Sequence, residues 1–148
     1  MISLEVLRRY PYFSAVCDDS LKAIAAMADE TTVSAGEQIF CEGNPADTLY
    51  FIARGEVDLQ YNLGSGELRT VDTLRDGDIL GWSALLEPYR YTGAGTATKA
   101  TRLIAIRARE LRDLCDRDPL LGLHLMDQIA KLLATRLEGA QVQLAAAD

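Results

Sequence analysis

The sequence is poor in the residues that most enzymes and metal sites require. It has one histidine and three cysteines. His124 alone cannot supply the cluster of imidazole and carboxylate ligands that a metal-dependent enzyme needs, and it suggests no catalytic pair with any serine or cysteine. Cys17, Cys41 and Cys115 are widely separated and odd in number, which is typical of reduced thiols. We therefore expect a non-enzyme without a metal ion, in which His124 is a helix-surface or packing residue.

Basic residues are also scarce, and long apolar runs are missing. The chain has 15 Lys and Arg against 22 Asp and Glu, a net charge of −7, whereas a nucleic-acid surface needs clustered cations. No apolar run approaches the roughly 18 residues of a membrane span, and residues 1–5 lack the features of a secretory signal. The 148 residues have room for one hydrophobic core. These properties predict one soluble cytoplasmic domain that contacts neither DNA nor a membrane.

The N-terminal part, residues 1–30, carries apolar positions at helical spacing. This pattern predicts two short helices. Asp18 or Asp19, together with Ser20, is expected to cap the second helix. Tyr12 and Phe13, between the two helical segments, are expected to form a hydrophobic contact between the helices, with Phe13 in the core.

Residues 31–107 consist of short runs rich in β-forming residues, separated by glycine turns. The turns are expected at Gly36, Gly43, Gly55, Gly64, Gly66 and Gly77. This arrangement predicts an antiparallel β jelly roll. Apolar and polar residues alternate in 57–63, so one face of that strand should be buried. Its inward residues are expected to be Val57, Leu59, Tyr61 and Leu63, and Gly64-Ser65-Gly66 should close a hairpin onto 68–74.

Residues 108–148 have the pattern of C-terminal helices that complete a single domain. Asp118 followed by Pro119 is a typical start of a helix, with the carboxylate as the cap. Apolar residues then recur every three or four positions over a length that a small β roll cannot cover. We expect this helix to form a homodimer through Met126, Ile129, Leu133, Leu137 and Ala140.

The central stretch of the chain, residues 76–97, has the pattern of a tight turn, a short strand, one helical turn that opens at Gly81, and a return strand. The first backbone N–H groups of a helical turn lack intrahelical partners, and glycine permits a ligand to approach them. The pattern therefore predicts an anion site that suits a phosphate.

This stretch resembles the phosphate-binding cassette of cyclic-nucleotide-binding domains, because Gly-Asp-Ile-Leu-Gly at 77–81 is followed by Leu85-Leu86 and a strand of small residues. Further matches to the same domain occur in order at 35–40, 43–47 and 49–57. The resemblance to the Crp/Fnr family implies a jelly roll (double-stranded β-helix) with short N-terminal helices, a long C-terminal helix and a regulatory role in signal transduction. It also implies dimers of the catabolite-activator type. Relatives in this family continue into a helix-turn-helix, and because the given sequence ends at Asp148, we expect no direct DNA binding.

Two positions depart from the family pattern. The glutamate that normally binds the ribose hydroxyl is replaced by Trp82, and the arginine that pairs with the cyclic phosphate aligns with Tyr91. Thr92 keeps the hydroxyl that follows that arginine, and Arg90 lies one position early. The resemblance therefore gives an expected ligand-binding set of Gly81, Trp82, Ser83, Ala84, Arg90, Tyr91 and Thr92.

Two functions remain open from the sequence. The first is a ligand-sensing regulatory module for a non-standard nucleotide or another small anion, with a cyclic nucleotide such as cAMP as one possible ligand. A match of the long helix to the same family then puts Ala140 and Gln141 near the base. The alternative is a degenerate domain whose pocket is filled by Trp82 and which acts as a dimerisation or protein-interaction module.

Overall fold

Eight strands form two four-stranded antiparallel sheets whose buried residues belong to one hydrophobic core. The computed structural model describes residues 2–64 and 66–147. The strands are β1 (Ala28–Val33), β2 (Gln38–Phe40), β3 (Thr48–Arg54), β4 (Glu56–Asn62), β5 (Leu68–Arg75), β6 (Ile79–Leu80), β7 (Ala94–Ala97) and β8 (Thr101–Arg107). Their orders are β1-β8-β3-β6 and β2-β7-β4-β5. The predicted jelly roll is confirmed.

Helices flank the roll at both ends of the chain. They are α1 (Leu4–Arg8), α2 (Asp18–Ala26), α3 (Ala108–Arg117) and α4 (Pro119–Ala146), with short 3₁₀ turns at Pro11–Phe13 and Trp82–Leu85. As the sequence predicts, Pro119 is the first residue of α4 and the Asp118 carboxylate accepts a hydrogen bond from the Leu121 N–H at 3.3 Å. None of the helices in residues 2–64 and 66–147 is long and apolar enough to cross a membrane.

The N-terminal segment is anchored to the roll by an aromatic cluster. The ring of Phe51 on β3 is fully buried. Its centroid lies 5.6 Å from that of Tyr10 and 5.2 Å from those of Tyr12 and Phe13. Phe13 is a core residue, as predicted, but its main aromatic partner belongs to the sheet, so the contact joins the helical segment to the roll.

The cap of α2 differs from the sequence prediction. Asp18 and Asp19 lie in its first turn, and Cys17 holds the N-cap position without a side-chain cap bond. Ser20 is buried because its hydroxyl donates to the Asp118 carboxylate at 2.6 Å, which joins α2 to the start of α4. This hydrogen bond holds the pKa of Asp118 below its usual range. The hydroxyl of Ser20 therefore serves a tertiary contact, which local capping rules cannot predict.

The helical range ends earlier than the sequence suggests, because β1 begins at Ala28. Ala28 is fully buried and pairs with Ile106 on β8, so its apolar side chain belongs to the sheet rather than to α2. Residues 28–30 are therefore strand, not helix. At the other end of the roll, β8 ends at Arg107 and α3 starts at Ala108, where the sequence pattern places the change from strand to helix.

The alternating strand is β4, and its inward residues are mostly as predicted. Val57 and Leu59 are buried and Tyr61 is half-buried. Leu63 is exposed, contrary to the prediction, because β4 ends at Asn62 and the chain turns there. The predicted pairing of this strand with the next one is confirmed by the antiparallel register of β4 and β5.

The turn between β4 and β5 is organised by one side chain. The Asn62 amide oxygen accepts the backbone N–H groups of Gly64 at 2.9 Å and Gly66 at 3.2 Å. Both glycines have positive φ, at 95° and 81°, as a tight loop requires. Ser65, the middle residue of the predicted hairpin loop, lies outside the described residues.

Candidate functional site

The predicted cassette begins at Gly81, directly after β6. Its φ of 72° is in the left-handed region that favours glycine, and the 3₁₀ turn starts at the next residue. A Cβ atom added at Gly81 would lie 3.2 Å from both the Thr48 carbonyl oxygen and Cε1 of Tyr91. The Tyr91 ring and the Thr48 carbonyl are therefore the groups that approach this glycine most closely.

Tyr91 is built into the core. It is only 5% exposed, and its ring stacks on Phe40 with centroids 4.4 Å apart. Its hydroxyl donates to the Thr48 carbonyl at 2.7 Å and accepts the Thr48 N–H at 3.3 Å. Burial raises the pKa of Tyr91 well above its usual value, so the phenol stays neutral. The side chain at the family's arginine position thus binds the protein's own backbone.

Little space remains beside this ring. The cavity bordered by Gly81, Trp82 and Tyr91 has a volume of about 10 Å³. That volume is close to the minimum for one water molecule, whereas small-molecule sites occupy roughly 300–1,000 Å³. The half-buried indole of Trp82 forms one of its walls. This cavity by itself is too small for a nucleotide.

The structure brings together most of the expected site residues and leaves two apart. Ser83 and Thr92 also border the small cavity. Ala84 is fully buried, and its carbonyl accepts a hydrogen bond from Arg112. Arg90 is exposed and donates to the Gly43 carbonyl at 3.0 Å. The guanidinium nearest to the cassette in sequence therefore holds the adjacent loop and does not line the cavity.

A larger space lies between the sheet and the long helix, and we call it the α4 cleft. Its volume is about 420 Å³, and it is bounded by Tyr61, Trp82, Arg136 and Gln143 among others. Ala140, which the family match placed near a base, lines this cleft. Gln141 does not line it and is exposed. The lining residues of the cleft come from β4, β5, the 3₁₀ turn at Trp82 and α4, so no local signal in the sequence reveals the cleft.

Arg136 fixes α4 against the roll at the cleft. Its Nη1 lies 3.1 Å from both carboxylate oxygens of Asp72 on β5, and its Nη2 lies 3.0 Å from the Asp78 carboxylate before β6. All three side chains are about 30% exposed or less. Arg136 thus uses its two terminal nitrogens on two different carboxylates, and such charge-assisted hydrogen bonds are stronger than neutral ones. Arg136 therefore sets the position of the C-terminal half of α4.

A second feature of α4 is a line of apolar residues along the helix, several of which are exposed. We call it the α4 seam; it consists of Leu123, Met126, Ala130, Leu133, Leu137, Ala140 and Leu144, spaced alternately by three and four residues. Leu123, Leu137 and Leu144 are 69%, 60% and 71% exposed, while Met126 and Leu133 are half-buried. Ile129, expected on the same surface, is 3% exposed and packs in the core of its own chain.

The remaining histidine and cysteines form no recognisable metal site. In the part of the chain that the structure describes, no group of three or more His, Cys, Asp or Glu could hold a metal ion. The Nε2 atom of His124 is buried and has no hydrogen-bond partner among these residues. Cys17 is exposed and Cys41 and Cys115 are half-buried, all as free thiols. Burial raises the pKa of Cys115, which keeps this thiol protonated and lowers its reactivity.

Comparison with known proteins identifies the family. The model of the cyclic nucleotide-binding domain matches residues 30–118. The solved structure of a candidate cyclic nucleotide-binding protein from Geobacter metallireducens superposes with a TM-score of 0.84 at 36% identity, covering 93% of this chain and 99% of that one. The chain therefore belongs to the cyclic nucleotide-binding domain family, and its resemblance to the Crp/Fnr group is confirmed.

Two curated relatives are larger regulators. The CRP-like cAMP-activated global transcriptional regulator of Mycobacterium tuberculosis is 25% identical over 95% of this chain. The cyclic AMP receptor protein of Thermus thermophilus is 28% identical over 90% of it. The chain spans 61% and 60% of their lengths, so it corresponds to a part of each. The fold and these relatives support a regulatory module of the ligand-sensing class.

Proposed function

We propose that this chain is a regulatory module that dimerises through α4 and whose cyclic-nucleotide cassette is closed by its own side chains. The observation that carries the proposal is the position of Tyr91. Its ring is stacked on Phe40, and its hydroxyl is satisfied by the Thr48 backbone. A nucleotide would have to displace a buried, fully bonded side chain to reach Gly81, which adds a cost that an open cassette does not have.

The chemistry of the cassette points the same way. A charge-assisted hydrogen bond from arginine to phosphate contributes about 1.5–3 kcal/mol, and this chain has Tyr91 at that position. Losing that contact alone weakens binding by on the order of tenfold to a hundredfold. Trp82 donates through its indole N–H but cannot accept a hydrogen bond from a ribose hydroxyl as a carboxylate does. Arg90 could replace the missing cation only by leaving the Gly43 carbonyl.

The first prediction is that the protein binds neither cAMP nor cGMP at micromolar concentration. Calorimetry should give only the heat of dilution, because the cassette offers about 10 Å³ and no arginine. The Arg90→Ala variant should behave identically, and Arg69→Ala, which removes an exposed arginine from β5, serves as the matched control. Micromolar binding by the unchanged protein would contradict the closed cassette. Its loss only in Arg90→Ala would identify Arg90 as the phosphate-binding residue.

Dimerisation is supported by the geometry of the α4 seam. An alternation of three and four residues between apolar positions is the repeat of a two-stranded coiled coil. In residues 137–147 every side chain is exposed, so this end of α4 lacks the tertiary packing that normally stabilises a helix. A second copy of the chain would supply that packing through a symmetric contact.

A second candidate function, ligand sensing, is favoured by the α4 cleft. Its volume of about 420 Å³ is in the range of small-molecule sites, and it is bounded by both the roll and α4. A ligand held there would contact the helix that we propose to form the dimer. The indole of Trp82 and the ring of Tyr61 would suit a flat ring, and Gln143 offers an amide. A non-standard nucleotide is the class of ligand that fits this lining.

The second prediction concerns that cleft. Trp82 is the only tryptophan, so the intensity of its fluorescence should change when a nucleotide enters the cleft, and this change is the response that the variants test. Gly139 lines the cleft and has open space at its Cβ position, so Gly139→Leu should fill the cleft and abolish the response. Glu138→Leu, one residue away and outside the lining, should leave the response intact. A response that persists in Gly139→Leu would contradict binding in the cleft.

A further inference from the structure

A polar depression, distinct from the cavities above, lies where three turns of the roll meet. These are the turns between β3 and β4, between β5 and β6, and between β7 and β8. Its volume is about 490 Å³, and we call it the basic depression. Its charged lining residues are Arg54, Asp76, Lys99 and Arg102. It shares no lining residue with the cassette cavity or with the α4 cleft. It is therefore separate from the site described above.

Two arginines of this depression lie on neighbouring strands. Arg54 on β3 is the register partner of Arg102 on β8, just after an irregularity in the pairing between Ile52 and Arg54. Like charges directly opposite each other on neighbouring strands are destabilising. Arg102 pairs with Glu30 through its Nε at 3.0 Å, whereas Arg54 forms no ion pair with any residue in 2–64 or 66–147. The register of β3 and β8 thus brings two positive charges together, and Glu30 neutralises only one of them.

A third cation and the scarcity of acids strengthen the positive charge. Lys99, in the turn after β7, is exposed and also lacks an ion pair within the described part of the chain. Asp76 is the one acidic residue of the lining, and its carboxylate accepts the Gly55 N–H at 2.7 Å. Three cations therefore face one carboxylate, in a chain whose net charge is −7.

The floor of the depression is rigid. Gly55 is packed so tightly that an added Cβ would clash with the side chain of Thr101. Thr101 is fully buried; its hydroxyl donates to the Lys99 carbonyl at 2.9 Å and accepts the Glu56 N–H at 3.2 Å. These contacts fix the two turns that carry Arg54 and Lys99. The backbone of the depression is therefore held in place before any ligand binds.

We propose that the basic depression binds a small molecule bearing a phosphate monoester or diphosphate group, through Arg54, Lys99 and Arg102. Guanidinium groups pair with phosphate oxygens bidentately, and an ammonium adds a further charge-assisted contact. The two cations without ion pairs match a group with two negative charges better than a cyclic phosphodiester, which carries one. Such a dianion would also relieve the repulsion between Arg54 and Arg102. This proposal is independent of the closed cassette.

Pyrophosphate is the probe that tests the proposal. In ¹H–¹⁵N NMR titrations at constant ionic strength, the amides of Gly55, Lys99 and Ala100 should shift and saturate. The double variant Arg54→Gln and Lys99→Gln should bind at least tenfold more weakly. Its matched control replaces Lys22 and Arg69, exposed cations outside the depression, with glutamine and should bind as the unchanged protein does.

Three outcomes would overturn the proposal. Shifts that stay linear in pyrophosphate concentration would show only general screening of charge. Equal weakening in the control pair would show that total charge matters rather than this depression. Citrate binding as tightly as pyrophosphate would show that the depression does not select phosphate. Because all four substituted side chains are exposed, each variant is expected to keep the dispersed spectrum of the folded protein.

Discussion

Replacing both Leu137 and Leu144 with glutamate is expected to halve the mass that light scattering measures, because a dimer becomes a monomer. Both side chains are largely exposed in the single chain and lie on the α4 seam. Burying a leucine contributes about 1.5–3 kcal/mol, and in a symmetric contact each substitution acts twice. Four buried charges would then oppose association. The fold of each chain should persist, which circular dichroism can check.

The same helix provides two controls for this experiment. Val142 is 63% exposed but lies two residues from both Ala140 and Leu144, so it points away from the seam. Val142→Glu should therefore leave the mass unchanged. Ile129→Glu should unfold the chain instead, since Ile129 belongs to its own core. An unchanged mass in the double variant, or an equal loss in Val142→Glu, would contradict dimerisation through the seam.

The sequence predicts the fold well because its signals are local. Glycine turns and alternating residues mark the strands, and the Asp118-Pro119 pair marks the start of α4. The prediction fails where a residue serves a distant contact. Ser20 was expected to cap its own helix and instead binds Asp118, which is 98 residues away.

The inward position of Tyr91 could not be predicted for a related reason. Arg90 and Tyr91 are adjacent in an extended segment, so their side chains point to opposite sides. Which of them faces the core depends on pairing with the loop before β3, where Tyr91 N–H bonds the Asn44 carbonyl and Arg90 bridges to Pro45. That pairing joins residues more than forty positions apart in the printed sequence. Tyr91 faces inward, and Arg90 turns out to the Gly43 carbonyl.

The two apolar faces of α4 illustrate a limit of periodicity. Its core face contains Leu121, Leu125 and Ile129, and its exposed face is the α4 seam. The core face recurs at steps of four residues and the α4 seam at steps of three and four, and both steps are helical, so the period alone cannot assign Ile129 to one of them. The Arg136 contacts span 64 residues to Asp72 and 58 to Asp78, and they also became visible only in the folded chain.

The Phe51→Ala variant is expected to remain folded but to lower the free energy of unfolding by about 3–5 kcal/mol. Phe51 is fully buried, and its ring contacts those of Tyr10, Tyr12 and Phe13. Its removal leaves a cavity where the N-terminal segment meets the roll. Urea unfolding at a fixed protein concentration measures the change, and exposed Leu63→Ala should shift it by less than about 0.5 kcal/mol.

A double-mutant cycle then tests whether the aromatic cluster holds the N-terminal segment in place. Phe13→Ala should also destabilise the protein strongly, since Phe13 is fully buried and its ring centroid lies 5.2 Å from that of Phe51. Because the two rings are in contact, the double variant should lose less stability than the sum of the single losses, by about 0.5–3 kcal/mol. Strict additivity would mean that the two rings are stabilised by separate neighbours, and that the N-terminal segment is anchored elsewhere.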